Sequence, residues 1–116
     1  MPSGVLVTPS NRRMDLMEIN VTQDGNKATI VLNGKLSVAT SPDLENAIQS
    51  LPESVNEFTI DLTDLEYISS AGLRVLVSTE KTAAQRGGKM VLLHPNEEVS
   101  EVFDMTGLIA VFTVIA

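Results

Sequence analysis

Two apolar periods alternate along the chain. Leu16, Glu18-Ile19 and Val21 lead into Asp24-Gly25-Asn26, and Ala28 to Leu32 follow as a β-branched apolar run closed by Asn33-Gly34. Two such runs around an Asp-Gly turn predict a β-hairpin. Helical spacing then takes over, with Leu44, Ala47, Ile48 and Leu51 on one face. Ser41 is placed as the cap, Pro42 at the first helical position, and Asp43 and Glu45 toward the positive end of the helix dipole, with Pro52 as the stop. Phe58, Ile60 and Leu62 alternate with Thr59 and Asp61, which predicts a strand, and Thr63 to Ser69 reads as a loop. A second helix is expected from about Ser70 to Arg86, with Leu73, Leu76, Val77, Glu80, Ala83 and Ala84 on its main stripe and Gly87-Gly88 as its end. Met90 to Leu93 is an unbroken apolar strand, expected to be buried on both faces. Asn96 caps a third helix that carries Glu97 and Glu98 in its first turn, turns Val99, Val102 and Phe103 to one side and stops at Gly107. Val111 to Ile115 forms a last strand.

The expected order is β-β-α-β-α-β-α-β. Strands joined through helices of this length run parallel, and the opening hairpin adds an antiparallel edge. The fold class is therefore α/β, a mixed β-sheet with helices packed on it. Residues 1–13 lack clear periodicity and read as an N-terminal extension or an expression remnant, with a short strand at Val5–Val7. Met14 is taken as the start of the domain proper, which then spans 14–116.

Composition narrows the function. A chain of 116 residues makes one domain and leaves little room for a large enclosed cavity. With no Trp, one Tyr and three Phe, the core is expected to be aliphatic. Fifteen acidic residues against eight basic ones give a net charge of −7, which argues against nucleic-acid binding and against direct membrane binding. It suits a protein whose partner presents a basic patch. The absence of Cys removes disulfides and thiolate chemistry and agrees with a reducing compartment. No apolar run approaches the ~20 residues of a membrane span. The N-terminus has its basic residues after its apolar patch, the reverse of a secretion signal, so the expected location is cytoplasmic.

Candidate chemistry is sparse. A hydrolase elbow needs Gly on both sides of its nucleophile, and around Ser70 only Gly72 fits, with Ile68 on the other side. The single His, His94, stands beside Pro95 as the only candidate base. Ser78-Thr79-Glu80-Lys81 matches a Ser-x-x-Lys pattern but falls mid-helix. Gly87-Gly88-Lys89 resembles the end of a phosphate loop, yet Ala83 stands where that loop needs Gly. Carboxylates are densest at Glu97-Glu98-Glu101, where the helix dipole accounts for them without a metal. No catalytic residue, metal site or cofactor is expected.

What remains is Asp61 to Leu76, a strand end, a Ser pair and a helix start. A helix N-terminus has unpaired N–H groups and a positive dipole end, a favourable position for a phosphate on Ser70. Such a phosphate adds about 1.5 to 2 negative charges. From physics alone, Ser69 and Ser70 are better explained as helix caps, since Ser is common there. Gly72 fits either a close backbone approach or close packing.

In this segment the chain resembles the STAS domain, found in sulfate transporters and anti-sigma factor antagonists. The family pattern stands here as Asp61-Leu62, Tyr67-Ile68 and Ser69-Ser70-Ala71-Gly72-Leu73, with Gly34-Lys35-Leu36 before the first helix and Phe103-Asp104-Met105-Thr106-Gly107-Leu108 near the end. The resemblance covers about residues 15–116. It implies a bacterial anti-sigma factor antagonist, a substrate and ligand rather than an enzyme. Its phosphorylated residue maps onto Ser70, and its partner contacts onto Ser37, Ser69, Ser70, Ala71, Gly72 and Arg74. The implied partners are an anti-sigma factor serine kinase with a histidine-kinase-like ATPase fold, which the unphosphorylated form binds so that the sigma factor is released, and a PPM-type serine phosphatase that resets the switch. Many members carry Asp where this chain has Ser37 and Ser69. Members also continue into a final helix, expected here to be short or absent, and residues 1–13 are a candidate cover for the surface it would occupy. The missing Asp pair motivates an alternative, a phosphorylation-independent STAS scaffold or transporter-associated subunit.

Overall fold

The computed structural model describes the backbone of residues 3–7 and 17–116, and side chains from residue 17 onward. The readings of Leu16 and of Met14 as the domain start fall outside the described residues. Strands β1 (Ser3–Val7), β2 (Met17–Asp24) and β3 (Lys27–Leu36) form an antiparallel meander, with Gly25 at φ 63° in the β2–β3 turn. Helix α1 (Ser41–Gln49) leads to β4 (Glu57–Ile68), α2 (Ser70–Gln85) to β5 (Lys89–Leu93), and α3 (Glu97–Thr106) with a 3₁₀ turn (Leu108–Ala110) to β6 (Thr113–Ile115). Strands β3 to β6 are parallel neighbours. The result is one six-stranded sheet in the order β1-β2-β3-β4-β5-β6. This is the expected α/β mixed sheet, with β1 slightly longer than Val5–Val7.

Sequential order has a geometric consequence. Right-handed crossovers that always step in the same direction place every helix on the same face of the sheet. Burial follows that rule. The register row Val21, Ile30, Ile60, Leu92 faces the helices and is buried, whereas the next row, Asn20, Val31, Asp61, Leu93, is not fully covered. Strand β5 is therefore buried on one face only, with Met90 and Leu92 inside and Val91 and Leu93 half-buried, which corrects the expectation for Met90 to Leu93. The core is mostly aliphatic, and all three Phe join it. Phe103 of α3 meets Phe112 edge to face, with centroids 5.5 Å apart and planes at 78°, and this contact seats the approach to β6.

Other corrections concern where elements end. Strand β3 continues through Asn33-Gly34 to Leu36, and the expected loop Thr63 to Ser69 is, up to Ile68, the second half of β4. The two extensions pair with each other, with register shifts between Val31 and Asn33 and between Gly34 and Lys35. Those bulges change the spacing of buried residues on β4 from two to three (Leu62, Leu65, Ile68), which hides the strand from a period-two pattern. Helix α1 begins one residue earlier than the cap assignment implied. Thr40 occupies the cap position, and the Ser41 hydroxyl donates instead to the Ser37 carbonyl. The last strand is shorter than Val111–Ile115, because a 3₁₀ turn precedes it.

Candidate functional site

Extended β3 and β4 carry their carboxyl ends past the rest of the sheet, and the chain segments that follow them meet. The Ser69 N–H donates to the Leu36 carbonyl at 2.9 Å, which ties the start of α2 to the end of β3. The turn after Leu36 is held by hydroxyls. Thr40 Oγ1 accepts from the Ser37 N–H at 2.8 Å and donates to the Lys35 carbonyl at 2.7 Å, and the Ser41 N–H reaches the Ser37 carbonyl at 2.9 Å. Thr40 and Ser41 are thus buried with their hydroxyls paired. Ser37 is half-buried, and its hydroxyl lies 3.3 Å from Thr40 Oγ1.

The two adjacent serines take different roles. Ser69 has extended dihedrals (φ −97°, ψ 171°), is only 7% exposed, and accepts from the Gly72 N–H at 3.1 Å, so it is the N-cap. Ser70 is the first helical residue and is exposed. The Leu73 N–H bonds the Ser69 carbonyl at 2.9 Å, and the Gly72 N–H is taken by the cap hydroxyl. The N–H groups of Ser70 and Ala71 are left without an intrahelical acceptor.

Gly72 is set by packing. A Cβ there would lie 2.7 Å from Leu36 Cγ and 3.1 Å from Ile68 Cγ1. Ala71 is half-buried and Arg74 exposed, one turn along α2 from Ser70. All six expected contact positions therefore lie in one region. Ser70 and Arg74 face solvent, Ser37 and Ala71 are at the rim, and Ser69 and Gly72 are buried beneath them. Two further residues of this face are not among the expected contact positions. Val38 is 70% exposed in the turn after β3, and Tyr67 is exposed at the end of β4. A lone Val next to a polar turn and an aromatic within the shared pattern were the available signals.

Two open grooves are lined by residues near Ser70 in the chain, Ala71 and Arg74 in one and Tyr67 in the other. One, of about 500 Å³, lies between α1 and α2. The other, of about 570 Å³, is bordered by Lys35, Ser37, Tyr67 and Glu98. His94 does not join either. It is exposed, has φ 54°, and donates its N–H to the Ile115 carbonyl at 2.7 Å. It follows Leu93, which pairs with Asp61, while Ser70 lies beyond Ile68, about 20 Å farther along β4. A Ser70–His94 pair is thereby ruled out. Asp61 itself accepts from the Thr63 hydroxyl at 2.6 Å and the Thr63 N–H at 3.0 Å. These donors, with a smaller contribution from His94, hold its carboxyl below the ordinary carboxylate range against a modest desolvation effect. Among the described residues no group of three or more His, Asp or Glu is placed to hold a metal, and no helix is long and apolar enough to cross a membrane.

The site thus displays a hydroxyl on a capped helix start, beside a hydroxyl-braced turn at one end of a mixed sheet. The chain belongs to the STAS domain family, whose model matches residues 18–116. It is 32% identical over 92 residues to the anti-sigma-B factor antagonist of Bacillus subtilis, covering 79% of this chain and 84% of that protein. Among solved structures it resembles an anti-sigma factor antagonist from Mycobacterium paratuberculosis, with a TM-score of 0.78 at 23% identity over 89% of this chain and 88% of the other. It also resembles the Bacillus cell fate determinant SpoIIAA in its phosphorylated form, with a TM-score of 0.68 at 17% identity over 84% and 91% of the two chains. At these identities the two structures speak for the fold.

Proposed function

We propose that this STAS domain is an anti-sigma factor antagonist switched by phosphorylation of Ser70. The observation that carries the reading is the division between the serines. Ser69 is buried and engaged as the cap, whereas Ser70 displays its hydroxyl on the docking face. Support comes from relatives named as anti-sigma factor antagonists and from a fold neighbour that exists in a phosphorylated form. The unphosphorylated face binds an anti-sigma factor that is a serine kinase of histidine-kinase-like ATPase fold, and the sigma factor is released. The kinase transfers the γ-phosphoryl group of ATP to Ser70 Oγ, the hydroxyl proton departs and ADP is left. About 1.5 to 2 negative charges then stand on a docking face without a bulky cover, and the complex separates. A PPM-type phosphatase hydrolyses the ester and restores the hydroxyl. In this cycle the chain is substrate and ligand in the cytoplasm.

The test is incubation with the anti-sigma factor kinase of the same genome and ATP, with phosphopeptides mapped by mass spectrometry. Phosphate is expected on Ser70 and not on Ser69. Ser70→Asp is expected to weaken binding to the kinase by at least about tenfold, while Ser70→Ala binds and is not released by ATP. Absence of phosphate at Ser70, with binding unaffected by Ser70→Asp, would replace this reading with a phosphorylation-independent scaffold.

A further inference from the structure

The net charge of −7 does not describe the face beside Ser70. Arg74 and Lys81, two of the eight basic side chains, are both exposed on the flank of α2 that borders the α1–α2 groove. Among the described residues lining that groove, Glu45 is the one carboxylate. Val38 stands at its rim, 70% exposed, with Pro42 beside it. The groove thus combines an apolar anchor point with a cationic wall, in a chain that is acidic elsewhere.

From these features we infer that the α1–α2 groove docks an acidic amphipathic helix of the anti-sigma factor. This inference rests on the antagonist reading and adds the chemistry of the partner. Arg74 and Lys81 are seven residues apart, about 10 Å along the helix axis and on nearly the same flank. A partner helix meets both with carboxylates two turns apart, while its apolar side covers Val38. Ser70 is one turn before Arg74, and side chains four apart on a helix are neighbours. A phosphate at Ser70 therefore pairs with Arg74 in cis and confronts the incoming carboxylates with like charge. Phosphorylation reverses the sign of the groove mouth, which explains release without movement of the backbone. The partner surface expected here is acidic at this contact, the opposite of what the net charge alone suggests.

The experiment is calorimetric titration of the full chain with the purified anti-sigma factor kinase at about 50 mM and about 300 mM salt. Arg74→Glu and Lys81→Glu are each expected to weaken binding about tenfold and to flatten its salt dependence. Both positions are exposed, and unchanged melting curves will show the variants folded. Replacing the facing partner carboxylate by Lys is expected to restore binding to Lys81→Glu. Wild-type binding and Ser70 phosphorylation together with an unaltered Lys81→Glu affinity and salt slope would overturn the groove and leave the switch standing. No binding by the wild-type chain would overturn both.

Discussion

A methyl group on residue 72 would press into Leu36 and Ile68, the residues that end β3 and β4. Gly72→Ala gains about 1 kcal/mol of helix propensity. It loses about 1–3 kcal/mol to overpacking, because the buried Leu36 has little room to yield. The expected result is a lower urea midpoint and weaker partner binding, since the first turn of α2 shifts and carries Ser70 with it. An unchanged midpoint with unchanged affinity would contradict this account. The reason for the glycine lies on a strand distant in sequence, so the sequence could place Gly72 in the pattern without choosing between its two readings. The serines pose the same difficulty in smaller compass. The two are identical in kind, and the extended backbone of Ser69 beside the helical Ser70 decides which one caps and which one is displayed.

At the level of elements, legibility depended on how local the determining forces were. Helix α3 was readable at both ends, because Asn96 caps it through the Val99 N–H at 2.7 Å and Gly107 closes it at φ 77°, both within a turn of the helix. Strand β4 was readable only to Leu62, because its second half owes its conformation to bulged pairing with β3. The cap of α1 moved by one residue because Thr40 is drawn into the turn by Lys35 and Ser37. Asp61, at the middle of β4, yields a prediction that belongs to this scale. Its depressed native pKa means that the carboxylate adds stability above its unfolded pKa and that this is lost as pH falls through the folded value. Asp61→Asn is therefore expected to be less stable than wild type at pH 7 by up to about 1 kcal/mol. The gap should close in acid below about pH 4, as read from urea midpoints against pH. A gap that persists at low pH would assign the loss to packing instead.

The whole molecule separates two ends. One end of the sheet carries the proposed docking face. At the other, Asn56 receives the Asn26 amide at 2.8 Å and Arg86 donates to the Val55 carbonyl at 2.7 Å, where α2 turns back into β5. The element order, the mixed sheet and the mostly aliphatic core could be read from the chain, whereas the placement of all helices on one face could not, since β5 read as buried on both. The cationic groove could not, because it joins residues of α1, α2 and the turn after β3 that no short window contains. Net charge acts at this scale as well. With 15 acids against 8 bases, self-repulsion opposes folding. Raising salt from about 10 mM to about 200 mM is expected to raise the melting temperature by a few degrees. A decrease would show that attractive ion pairs dominate.

The order of the strands also bears on synthesis. Each strand lies beside the one made just before it, so none has to be inserted later between two that are already paired. A chain leaving the ribosome can lengthen its sheet by one strand at a time, each parallel step closing a single helical crossover. The stretch from β3 to α2 holds all six proposed contact residues, so that cluster has fully emerged once Gln85 has, while β5, α3 and β6 have yet to fold onto it.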